Sequence, residues 1–239
     1  MWVMSLRRRS LKLLAVIGAA AVVAVNLAAG GYLGADDIAG ADLGVLAGRV
    51  VAIDPGHGGV DSGAKYHGQT EKEITLAIAM KLAEALRAHG ATVTLTREAD
   101  VDYYTRGKGG KRSDLTRRVE MINGSGAAVF VSIHTNAIRG GRWFGAEVYY
   151  SPRLAENRLL AEAVQRALQE FPPGNKRQAK QDSDIMVLKD TTIPGVLVET
   201  GFLSNPREAA MLADGAYQDK MVGQIARALA YHFSHNVAR

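Results

Sequence analysis

From Arg49 onward, short apolar runs alternate with helical stretches, and this alternation limits the possible folds more than any other feature. Val50, Val51, Ala52 and Ile53 predict a strand that stops at Asp54-Pro55-Gly56. Ile74, Ile78, Leu82 and Leu86 recur every four residues with Ala77 and Ala85 beside them, so residues 73–89 predict an amphipathic helix capped by Gly90. Residues 91–96 read as the next strand, 100–111 as a polar, Gly-rich loop and 113–123 as a helix. A strongly apolar strand over 127–133 runs straight into His134, and another strand follows at 146–150. Leu160, Val164, Leu168 and Phe171 mark a second helical face, closed by Pro172-Pro173-Gly174. Short strands are expected at 185–188 and 195–198, and a final helix at 216–233 carries Tyr217, Met221, Ile225 and Leu229 in register. Together these predict an α/β fold: a mixed, mostly parallel sheet with helices on both faces, in one domain over 49–239. Ligands in such sheets gather at strand ends. His57 lies just past the first expected strand, His134 ends the central one and Glu199 ends the last.

The residues before Arg49 have a different character. Arg7, Arg8 and Arg9 precede an uncharged run over 13–29 broken only by Asn26. At about 1.5 Å per residue this run spans roughly 25 Å, slightly less than a ~30 Å hydrocarbon core. Residues 1–29 therefore read as a signal peptide or a retained membrane anchor, with the rest of the chain outside the cytoplasm in either case. Residues 30–48 are small, Gly-rich and weakly acidic, which predicts a flexible tether. The formal net charge of +5 belongs mainly to this end: Arg7, Arg8, Arg9 and Lys12 supply four positive charges, and no acid precedes Asp36. The body is thus nearly neutral and offers no bulk electrostatic case for nucleic acid. The chain has no cysteine, so thiolate metal sites, disulfides and cysteine nucleophiles are excluded.

Chemistry concentrates in four segments. Residues 54–63, Asp-Pro-Gly-His-Gly-Gly-Val-Asp-Ser-Gly, form a glycine-rich turn that places His57 at the mouth of a pocket. No Gly-Lys-Ser/Thr ending follows, so the turn is no P-loop. Glu71 opens the helix led by Ile74, where an acid also favours the helix dipole. His134 and Asn136 lie in Val-Ser-Ile-His-Thr-Asn-Ala, and Glu199 in Val-Leu-Val-Glu-Thr-Gly-Phe. Leaving an apolar strand, Glu199 is expected to be partly desolvated, which raises a carboxyl pKa toward values useful for acid–base work. Each residue has a bland alternative when taken singly. Two imidazoles and two carboxylates near strand ends are what a hydrolytic metal site with a separate base requires.

These segments resemble the zinc-dependent N-acetylmuramoyl-L-alanine amidases of the amidase-3 family, over roughly 49–233. Within that family the chain is similar to the sporulation-linked and germination-linked amidases that prepare cortex peptidoglycan for muramic lactam formation. The resemblance implies that His57, Glu71 and His134 bind Zn2+ and that Glu199 is the catalytic acid/base; it also selects Glu71 over nearby Glu73. It implies hydrolysis of the amide between N-acetylmuramic acid and L-alanine, with peptidoglycan glycan strands and stem peptides as partners. A muramic acid deacetylase would act next on the product, and membrane contact would come through an uncleaved N-terminal segment. Arg118, Asn136 and Arg106 are candidate substrate contacts, with a structural salt bridge on its helix an equal reading for Arg118, and Lys108, Lys111 and Arg112 share the basic loop with Arg106. Only seven residues, 138–144, separate the His134 motif from Gly145, which predicts a site not plugged by its own chain. Two rival readings share this architecture: a zinc peptidase cutting within the stem peptide, and a non-catalytic wall-binding module.

Overall fold

The computed structural model describes residues 37–104 and 110–236. The strands are β1 (Val50–Pro55), β2 (Lys65–Tyr66), β3 (Gln69–Thr70), β4 (Thr92–Leu95), β5 (Val129–Asn136), β6 (Glu147–Tyr150), β7 (Lys180–Gln181) and β8 (Gly195–Phe202). The helices are α1 (Glu71–Ala88), α2 (Lys111–Asn123), α3 (Ala155–Glu170), α4 (Met186–Asp190), α5 (Pro206–Leu212) and α6 (Gly215–His235). Six strands form one sheet in the order β4-β1-β5-β8-β6-β7, while β2 and β3 make a separate hairpin. β8 pairs antiparallel with β6, and the other four pairings in the sheet are parallel.

Alternation along the strands divides the core in two. Val51 and Ile53 of β1, Val131 and Ile133 of β5, and Val196 and Val198 of β8 point to one face. There they meet Ile78, Leu82 and Leu86 of α1, Leu160, Val164 and Leu168 of α3, and Met221, Ile225 and Leu229 of α6. Ala52, Phe130 and Leu197 point to the other face, against Val119 and Ile122 of α2 and Val187 and Leu188 of α4. Each fully buried Leu or Ile of this kind contributes roughly 1.5–3 kcal/mol. The expected sheet covered on both sides is what forms.

Several elements depart from the sequence-based expectation. The tether expected over 30–48 is folded from Ile38 onward. Ile38 and Leu46 are buried in the larger core, and Leu43–Leu46 form a 3-10 turn capped by the Asp42 side chain. A few apolar residues among glycines show no periodicity, so their burial was invisible in the pattern. The strand expected at 185–188 is instead the short helix α4, with Asp182 Oδ1 accepting from the backbone N–H of Ile185 at 2.9 Å. An apolar run of four cannot by itself separate strand from helix. β5 and β8 run further than expected, so His134 and Glu199 sit inside strands. The expected signal or anchor over 1–29, and Arg106 and Lys108, lie outside the described residues. Among the described residues no helix is long and apolar enough to cross a membrane.

Candidate active site

The floor of the site is a buried ion-pair network beneath the β1 turn. Asp54 receives Arg118 Nη1 at 2.9 Å, Thr96 Oγ1 at 2.6 Å and Ser132 Oγ at 2.7 Å. Burial alone would raise its pKa, but the Arg118 charge and the two hydroxyl donors bring it below the ordinary value. Arg118 also pairs with Asp114 at 2.8 Å and donates to the backbone carbonyls of Pro55 and His57. Arg97 ties the same turn to α1, donating to the carbonyls of Pro55, Gly56 and Lys72. Two guanidiniums therefore fix the main chain on which His57 stands.

That fixation is needed because His57 has φ of 59°, a left-handed conformation that a side chain other than glycine rarely adopts. Its Nδ1 lies 3.0 Å from Asp61 Oδ2, which orients the ring and leaves Nε2 facing Glu71. Asp61 is itself paired with Lys111 at 3.0 Å. Gly56 next door permits the close approach of β5: a Cβ there would lie 2.4 Å from the His134 ring.

Glu71, buried at the start of α1, joins the two histidines. Its Oε1 is 3.2 Å from His57 Nε2 and 3.2 Å from His134 Nδ1, and accepts from the Thr135 N–H at 3.0 Å. Oε2 accepts from the Ala64 N–H at 2.8 Å. Burial pushes the carboxyl pKa up, but the hydrogen bonds and charges of His134 and His57 outweigh it and hold the group well below the carboxylate range. For His57 burial works toward a lower pKa, and Glu71 and Asp61 together raise it. The ligating atoms of His57, Glu71 and His134 all lie within 4.8 Å of one another, a cluster that could hold a metal ion. The donor chemistry fits: two imidazole nitrogens and a carboxylate oxygen, with one imidazole oriented from behind by a carboxylate. The side chains of His57 and His134 keep 15% and 20% of their exposure, so the cluster opens to solvent. Glu73, two residues on, is exposed on α1 and takes no part in it.

Glu199 completes the group. It stands opposite His134 in the parallel β5–β8 register and opposite Glu147 in the antiparallel β6–β8 register. Directly opposed residues share a sheet face, so the three form a row. Glu199 Oε2 is covered and has no hydrogen-bond partner. Burial, then the negative charges of Glu71 and Glu147, push its pKa up to about 8.

The other sequence candidates fare differently. Arg118 is buried and committed to Asp54, Asp114 and two carbonyls, so the expectation of substrate contact is corrected: it is a structural residue of the turn. Asn136 shares the β5 face of His134 and is half-buried, and its carbonyl accepts from the Leu203 N–H at 2.7 Å. Arg106 is outside the described residues, Lys111 is held by Asp61, and Arg112 is exposed. His67, which lies outside the four motifs in the sequence, contacts the carbonyl of Ser204 at 3.1 Å and is not part of the cluster. Arg97 and Glu147 carried no sequence signal, because each acts through partners distant in the chain.

A mostly parallel sheet with a His-Glu-His cluster at one end and an unpartnered carboxyl alongside defines a hydrolase-type centre. The family model for N-acetylmuramoyl-L-alanine amidase matches residues 51–231. The germination-specific N-acetylmuramoyl-L-alanine amidase of Bacillus subtilis is 39% identical over 193 residues, 79% of this chain and 81% of that protein. The amidase LytC of the same organism is 35% identical over 177 residues, 73% of this chain but only 34% of LytC. Among solved structures, the CwlD amidase of Clostridioides difficile, determined in complex with the GerS lipoprotein, superposes with a TM-score of 0.74 at 36% identity, covering 78% of this chain and 98% of CwlD. The chain belongs to the amidase-3 family and is an N-acetylmuramoyl-L-alanine amidase, an enzyme of peptidoglycan.

Proposed function

We propose that this amidase is zinc-dependent and acts outside the cytoplasm on spore-cortex peptidoglycan, freeing the lactyl group of muramic acid for muramic lactam formation. The observation that carries the zinc reading is the covered, unpartnered Oε2 of Glu199 beside the converging nitrogens and oxygen of His57, Glu71 and His134. Zinc held by these three residues supplies a Lewis acid that polarises a carbonyl and lowers the pKa of water. Glu199 takes the proton of the attacking water and returns it to the leaving amine of L-alanine. Its elevated pKa suits both halves of that transfer near neutral pH. Arg118 and Arg97 keep the His57 turn in place, and Asp61 keeps the imidazole in the required orientation.

The cortex assignment is supported by the germination-specific relative and the CwlD likeness. On this reading a muramic acid deacetylase acts on the product, and the N-terminal segment directs export or anchors the enzyme at the membrane. The test is mass spectrometry of muropeptides digested by zinc-loaded, chelator-treated and Glu199→Ala protein. Stem peptides with a free L-alanine amine are expected only from the first, with Glu199→Ala retaining zinc and losing about 10²–10⁴-fold in rate. Cuts within the stem peptide would replace this reading with the peptidase one.

A further inference from the structure

Beyond Glu147, the row that begins at His134 and Glu199 continues into positive charge. Glu147, buried on β6, is paired with Arg177 Nη1 at 3.1 Å and Lys180 Nζ at 2.7 Å. Arg177 is the hinge between this row and a separate pocket of about 450 Å³, lined by Arg142, Trp143, Phe144, Lys176 and Arg177. The lining holds three cations and no carboxylate. Its apolar wall is unusual for a surface: Trp143 and Phe144 are exposed, in the short 138–144 stretch that follows the His134 motif.

Arg177 is held in one orientation rather than waving in solvent. Its Nε donates to the carbonyl of Phe144 at 2.8 Å, its Nη1 to Glu147, and its guanidinium lies 4.4 Å over the Phe202 ring. The side chain is only 17% exposed. Among the described residues its Nη2 has no hydrogen-bond partner. A half-buried, oriented guanidinium with a spare donor edge is the group that recognises a carboxylate, because its N–H fork matches the two oxygens. Arg142 lies against the Trp143 ring at 5.3 Å, and Lys176 brings the third charge, with no acid paired to it among the described residues. Glu147, shared between Arg177 and Lys180, and Glu208, whose charge also couples to Arg177, set two carboxyls against the four cations Arg142, Lys176, Arg177 and Lys180, so the pocket as a whole is positive.

We propose that this pocket is a subsite for a free carboxylate of the stem peptide on the leaving-group side of the scissile amide, with Trp143 and Phe144 as its apolar wall. The proposal rests on the amidase reading of the Glu199 site, since it is the row from Glu199 through Glu147 to Arg177 that joins the two. The pocket makes the enzyme selective for anionic peptides over amidated ones. It also gives the 138–144 stretch a role in binding: by staying short it presents two aromatic rings beside the catalytic row.

The experiment uses the zinc-loaded full chain and three synthetic muramoyl tripeptides: one with all carboxylates free, one amidated at the residue after L-alanine, and one amidated at the C-terminal carboxyl. Cleavage is followed by release of the L-alanine amine, and binding of the corresponding free peptides by calorimetry, so that the subsite is read even where no bond is cut. One of the two amidated compounds is expected to lose about tenfold in kcat/KM and in affinity, the loss of one charge-assisted contact, and which one identifies the carboxylate. Arg177→Gln, which removes the oriented fork, is expected to raise KM for the free acid and abolish the discrimination, whereas Arg142→Gln/Lys176→Gln, two changes at exposed positions, is expected to raise KM for the free acid and leave part of the discrimination with Arg177. Equal binding of all three peptides by the unaltered protein, or full discrimination that survives in Arg177→Gln, overturns the subsite. Absence of L-alanine amine release from every compound, with selective binding intact, would instead count against the amidase reading while supporting the subsite.

Discussion

Arg118→Met is the sharpest probe of how the fold supports the site. Methionine keeps most of the side-chain length and apolar volume but removes the guanidinium. Arg118 is 1% exposed, and its partners Asp54 and Asp114 are 2% and 7% exposed, so the change strands two carboxylates away from water. Breaking a buried pair from one side costs about 3–5 kcal/mol, and the carbonyls of Pro55 and His57 lose their donors as well. Against a total stability of roughly 5–15 kcal/mol for a domain, that is a large fraction. Urea unfolding of metal-free protein at pH 7.5 should show the loss as a lower midpoint at constant slope. The same change releases the carbonyl of His57, whose left-handed backbone is then held by less. Zinc affinity by competition with a chelator should fall about 10–100-fold, as for other residues that orient ligands from behind. The triple variant Asp54→Asn/Asp114→Asn/Arg118→Met removes charge from both sides, and Asn at 54 can still bond Thr96 and Ser132. It should recover most of the stability but not the zinc affinity. Arg118→Met within about 1 kcal/mol of the unaltered protein, with unchanged zinc binding, would refute the scaffold role.

Other outcomes follow from single contacts. Gly56→Ala places a methyl 2.4 Å from the His134 imidazole, so zinc binding should weaken by at least about tenfold while far-UV circular dichroism is preserved; normal affinity would mean that the ring has room to move. Asp61→Asn removes the charge behind His57 Nδ1, and calorimetry should find zinc bound roughly tenfold more weakly, with the difference narrowing below neutral pH, because Asp61 raises the His57 pKa and protons compete more strongly in the unaltered protein. His232 is fully buried with both ring nitrogens unpartnered, and burial, opposed by the charge of Glu156, pushes its pKa down to about 4. The unfolded chain therefore takes up the proton first, and stability should fall by up to about 3 kcal/mol as pH drops from about 6.5 to 4. His232→Leu should flatten that part of the urea-midpoint profile and be neutral or stabilising at pH 7.5; an unchanged profile would show that His232 is solvated.

Much of the protein was legible in the sequence because its determinants are local. Apolar runs and four-residue spacings need no partner to be read, so the α/β alternation and the main helices α1, α3 and α6 follow from periodicity. His57, Glu71, His134 and Glu199 stood out because each sits at the edge of such an element. The choice of Glu71 over Glu73 came from resemblance, since both lie in the first turn of α1 and local pattern treats them alike. The turn of the helix buries one and exposes the other.

What the sequence by itself determined was therefore the class of fold and the short segments that carry reactive side chains. What only the tertiary structure decided was how residues far apart in the chain share one charge network. Asp54, Thr96, Arg118 and Ser132 meet because β1 lies between β4 and β5, with α2 packed over its end. Glu147 faces Glu199 because β6 enters antiparallel beside β8 in one particular register. In sequence Arg118 leaves a substrate contact and a structural salt bridge equally open, and the fold makes it a buried strut paired with Asp54 and Asp114. Burial of Ile38 and Leu46 has the same origin: an apolar side chain among glycines shows no period, and only the surface it covers reveals its place.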